Sequence, residues 1–166
     1  MITILRLIHI VFGVFWVGSV LFATFILMPS MKASGPAGMT LMKELGRKMS
    51  TIMMVAAIFT VGAGIWMMIL FATGAPGWMH TTTGRTFATG GALAILSMIV
   101  GMVVNAPVAR RMTTIGEVIG KRGGPPTPEE AQELGRLQSR LTSAGMIVAI
   151  LLLLATAAMA VARYLP

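Results

Sequence analysis

The sequence predicts an all-α integral membrane protein in which four membrane-spanning helices pack as a bundle. Three observations carry that prediction. Of its 166 residues 56% are hydrophobic and only 11% are charged, against about a quarter charged in an ordinary soluble domain. Four long stretches are apolar enough, at roughly 20 residues or more each, to cross about 30 Å of hydrocarbon. Helices are the natural form for them, because an open sheet leaves its backbone unsatisfied in lipid.

Span one covers residues 2–28 and ends where Pro29 disfavours a helical residue before it. Its apolar run exceeds the roughly 7–15 residues of a signal core, so it reads as a retained transmembrane helix. Span two covers residues 49–74 and closes at Gly74-Ala75-Pro76-Gly77. Span three covers residues 86–108, with a helix that could begin near Trp78. Between spans three and four, Gly123-Gly124-Pro125-Pro126 breaks the chain. Thr127-Pro128-Glu129-Glu130 then reads as an N-cap, a proline in the first turn and two acids. A short amphipathic helix over residues 127–140 is expected, with a Glu133–Arg136 pair, running into span four at residues 141–165. The whole chain forms one four-span domain, residues 1–166.

The loops differ in charge. Lys32, Lys43, Arg47 and Lys48 stand against Glu44 in loop 1–2, and Arg110, Arg111, Lys121, Arg122, Arg136 and Arg140 fall in loop 3–4. Loop 2–3 offers only Arg85, and the termini add Arg6 and Arg163. The positive-inside rule places both basic loops in the cytoplasm and both termini outside, as for a multi-pass protein of the inner (cytoplasmic) membrane. The net charge of +8 then sets topology and meets anionic lipid, not nucleic acid. Absence of cysteine excludes disulfides and thiolate metal sites. The five acids are all glutamates outside the apolar spans, which argues against a buried carboxylate proton relay.

The chain holds two histidines, each followed four residues later by glycine: His9 with Gly13 and His80 with Gly84. On a helix such positions share a face, and Trp16 continues the first series. The missing side chains leave room for a flat macrocycle, with a ring nitrogen of His9, or of both histidines, as axial ligand. Arg6 and Arg85 stand nearby to pair with propionates. The same spacing serves a plainer end, since small residues let membrane helices approach and His9 can bond a neighbouring backbone. Sixteen methionines fill gaps well, and as soft ligands they also suit copper(I). Trp66, Trp78 and Tyr164 are expected in an outer interfacial belt. Gly62, Gly64, Gly90, Gly91 and the Ser97-to-Gly101 pair are expected to bring spans two and three together. Asn105 and Pro107 are expected to hydrogen-bond and bend span three.

The string Leu7-Ile8-His9-Ile10, followed by Phe15-Trp16-Val17-Gly18, resembles the opening helix of the CopD-type copper-resistance membrane proteins and the HemJ-type protoporphyrinogen oxidases. Gly77-Trp78-Met79-His80 is similar to the GWLH of the HemJ type, and the order of spans and loops is alike. The resemblance covers most of the chain in layout but about a dozen residues in motif. It implies b-type haem at His9 and His80. Thr82 stands where the HemJ type has lysine, and Leu27-Met28-Pro29-Ser30 replaces its basic and histidine residues. A haem-binding relative in electron transfer or redox support is therefore implied in place of porphyrinogen oxidation. Two alternatives stand beside it: a cofactor-free accessory subunit of a larger membrane complex or homo-oligomer, and copper or small-solute transport.

Overall fold

The computed structural model describes residues 1–165, without the side chains of residues 36–37, 39–44 and 46–47. Those side chains include Lys43, Glu44 and Arg47 of the first basic loop, which lie outside the described residues. All regular structure among the described residues is helical: α1 (Ile2–Phe22), α2 (Met28–Ala33), α3 (Pro36–Gly74), α4 (Thr82–Val100), α5 (Ala106–Arg122) and α6 (Pro128–Val161). Four of the resulting rods are long and apolar enough to cross a membrane, which makes the chain a multi-pass membrane protein. They run up and down as two antiparallel pairs, α1 on α3 and α4 on α6. Both chain termini and the turn at 75–81 share one end of the bundle, here the terminal end. The turns at 34–35 and 123–127 share the other, the loop end.

Pro29 does not end the first helix. A five-residue π-turn, Ala23–Leu27, joins α1 to α2, and the rod continues to Ala33. A second π-turn, Gly101–Asn105, joins α4 to α5, and that rod runs past Pro107 to Arg122. In both, the last residue of the π-turn stands two places before the proline. The physical reason is common to both. Proline lacks an N–H and its ring crowds the carbonyl four residues back, here Phe25 and Val103, each inside its π-turn. The wider turn takes up that crowding: Met28 N–H reaches back five residues to the Ala23 carbonyl, and Ala106 N–H to that of Gly101.

The other rods also outrun their apolar cores. The second begins at Pro36, well before residue 49. The expected connector helix at 127–140 and span four form a single 34-residue helix, opened by a capping box of Thr127 and Glu130. Glu133 senses the charge of Arg136 along its own helix, but its ion pair is made elsewhere. It accepts from Arg111 of α5 at 2.9 Å, and Arg122 bonds Glu130 at 2.6 Å. These two ion pairs tie the loop ends of α5 and α6 across the turn.

The core is built of small residues where the four rods meet: Ala56, Ala57, Ala94, Ala149 and Ala155, around Trp16, Val20 and Leu152. Such residues let helix backbones approach where lipid offers no hydrophobic drive. Large apolar side chains such as Leu7, Val14, Phe25, Ile69, Val103 and Leu154 stand exposed, as a lipid-facing surface requires. The glycines expected to join spans two and three divide between pairs. Gly64 faces His9 of α1, Gly90 faces Met159 and the Ala155 carbonyl of α6, and Gly91 alone of these meets span two, through Met68. Trp66 and Tyr164 are exposed, while Trp78 is half-buried and stacked between Phe71 and Phe87 at centroid distances of 5.3 and 6.3 Å.

Candidate functional site

His9 lies in the seam between α1 and α3. Its Nδ1 stands 2.7 Å from the Thr60 carbonyl oxygen. A carbonyl only accepts, so Nδ1 carries the proton, and in a neutral ring Nε2 keeps the lone pair. The neighbouring helix is cut away beside the same edge of the ring: a Cβ at Gly64 would come within 2.9 Å of His9 Cε1 and 3.1 Å of Nδ1. One turn on, Gly13 packs against Thr60 Cγ2, where a Cβ would sit at 3.4 Å. The space beside Gly13 is thus filled by Thr60. Phe12 and Phe59 stack alongside at 4.8 Å. Trp16 is buried in the core.

His80 has a different setting. Trp78–His80 is a separate 3-10 turn, Thr81 is extended, and α4 starts only at Thr82. His80 and Gly84 therefore do not stack as i and i+4 of one helix. The Thr81 hydroxyl donates to the Trp78 carbonyl at 2.6 Å and accepts from Gly84 N–H at 3.0 Å. Gly84 is buried beneath this turn, where a Cβ would strike the Trp78 carbonyl oxygen. Arg6, His80 and Arg85 are exposed. Gly64, level with His9, stands ten residues before the end of α3 at Gly74, about 15 Å of helix. His80 lies beyond that end, so the two imidazoles are not brought to one site. Both glycine clearings are occupied by protein, Gly13 by Thr60 and Gly84 by the Trp78 carbonyl. Among the described residues no group of three or more His, Cys, Asp or Glu is placed to hold a metal.

The structure instead opens a cavity of about 190 Å³ between all four rods, toward the loop end. Among the described residues seven methionines line it: Met28 and Met31 of α2, Met49, Met53 and Met54 of α3, and Met98 and Met102 at the end of α4 and in its π-turn. Trp16, Ala57 and Val148 close it toward the core. Both π-turns border it, through Ala23, Thr24 and Leu27 on one side and Gly101, Met102 and Asn105 on the other. Local departures of this kind gather at functional sites. Among the described residues no charged side chain lines it. Ser97 Oγ and Asn105 Oδ1, on two of the lining residues, are buried and have no hydrogen-bond partner among the described residues. An unpaired buried polar atom costs about 1–3 kcal/mol.

Sequence reading reached these residues without joining them. Ser97 and Gly101 stood out as small, Asn105 as polar in an apolar span, and the methionines as numerous. The signal that unites them is the helical spacing of Met28 with Met31, Met49 with Met53 and Met98 with Met102, which sets each pair on one face. Comparison of the chain with family models, with curated proteins and with solved structures gives no match.

Proposed function

We propose that this chain binds and passes a small solute, copper(I) included, through the four-rod cavity. In this reading it sits in the cytoplasmic membrane with both termini outside. The loop end faces the cytoplasm, because Lys32, Lys48, Arg110, Arg111, Lys121, Arg122, Arg136 and Arg140 gather there, and the cavity lies in the cytoplasmic half. The observation that carries the reading is the pair of buried oxygens without a partner among the described residues, Ser97 Oγ and Asn105 Oδ1, on two residues that line the cavity. Copper(I) is favoured among metals because methionines from three helices line the cavity and soft ligands select it. The oxygen dipoles add a favourable field for a single positive charge.

Silver(I), a redox-inert stand-in, tests this in purified protein held in lipid nanodiscs. Saturable binding is expected, reported by quenching of the buried Trp16. Met98→Leu with Met102→Leu, or a bulky Ala57→Phe, should weaken it about tenfold or more, equivalent to about 1.4 kcal/mol. Silver binding indifferent to all three substitutions would overturn the metal arm.

The b-type haem reading rests on a different observation. The Nδ1–H of His9, held by the Thr60 carbonyl, is the outer-sphere bond that metal-bound histidines make. Haem would supply one-electron redox chemistry there, with Arg6 a turn away. Protein expressed with haem supply should then show a Soret band that His9→Ala removes and His80→Ala leaves. A colourless wild-type protein ends that reading.

A further inference from the structure

The cavity constrains its occupant more closely than the words small solute. Its volume is about 190 Å³, while an apolar protein cavity of about 150 Å³ takes up benzene. One six-membered ring with short substituents therefore fills it. Among the described residues its lining carries no charge, and an ion without a counter-charge is costly in apolar surroundings. Trp16 offers an aromatic face, and the methionines adapt to shape.

The polar atoms set the rest. Asn105 Oδ1 is an acceptor only and requires a donor. Ser97 Oγ, on a residue with no exposed surface, can donate or accept. The two residues are eight positions apart on one rod, about 12 Å of rise at 1.5 Å per residue. A ring polar at one end only would satisfy one of them and strand the other. The geometry points to a neutral single-ring molecule with hydrogen-bonding groups at opposite ends, its donor held by Asn105 and its far end by Ser97. This inference rests on the cavity being a binding site, and it selects the neutral occupant over the metal.

Calorimetric titration of the full chain in nanodiscs with hydroquinone (kept reduced), phenol and toluene tests it. Hydroquinone should bind about tenfold tighter than phenol, and phenol tighter than toluene, since each added bond satisfies a stranded atom. Asn105→Leu and Ser97→Ala should each bring hydroquinone down to the level of phenol. Toluene binding, kept in both variants, reports that they are folded. Equal binding of the three, or a ladder unchanged in Asn105→Leu, overturns the inference. If no ring binds while silver(I) saturates, the inference falls and the cavity reading stands with a metal occupant. If neither class binds, the cavity reading falls as well.

Discussion

Gly84→Ala should unfold the terminal end of the bundle. A Cβ there meets the Trp78 carbonyl oxygen and carbon and comes within 3.1 Å of Met79 Cα. All three are backbone atoms, so no rotamer change relieves the clash. Moving that turn breaks the Thr81 bonds to Trp78 and Gly84 and shifts Trp78 off Phe71 and Phe87. A loss of about 3 kcal/mol or more is expected, at the upper end for overpacking. Gly62→Ala is the control, because a Cβ there meets nothing within 4 Å. It should be neutral or stabilising by up to about 1 kcal/mol, from helix propensity. Thermal or denaturant unfolding in detergent compares them; equal stability of the two variants would show that the turn is looser than described.

The second large effect has the opposite sign. Ser97→Ala and Asn105→Leu should each stabilise the ligand-free protein, by about 1–3 kcal/mol, because each removes a buried polar atom that lacks a partner. The same substitutions should weaken solute binding. A gain in stability joined to a loss of binding is the pattern of a site held for function at a cost to the fold. If Asn105→Leu lowers the unfolding midpoint instead, Oδ1 has a structural partner and the cavity loses its main support.

The four rods were legible because hydropathy over 20 residues is a strong signal, and the Thr127–Glu130 capping box was legible because it is local. The continuation through Pro29 and Pro107 was not. The residue before proline is biased away from helix, and only the packed bundle makes a π-turn cheaper than a break. The histidine motif divided for a related reason. His9 and Gly13 do share a face, but that face meets Thr60 and Gly64 of α3, which no spacing within α1 discloses. His80 and Gly84 fail earlier, since the helix between them starts two residues after the histidine. The cavity lay beyond local reading because an unpaired oxygen is a property of the neighbours it lacks. Asn105 in an apolar span could be flagged; its solitude could not.

The π-turn at Gly101–Asn105 also acts on everything that follows it. It holds one residue more than an α-helical path, and one residue is about 100° of helical rotation. Drawn on an unbroken wheel, Ala106, Ala109 and Thr113 would sit about 100–160° away from the side shared by Ser97 and Gly101. The extra residue turns them back, and all three line the same cavity. Deleting a single residue from this turn would re-aim the whole of α5, including Arg111 and its partner Glu133, while leaving composition and hydropathy almost untouched. The length of a five-residue segment, more than the identity of any side chain in it, thus steers half a helix.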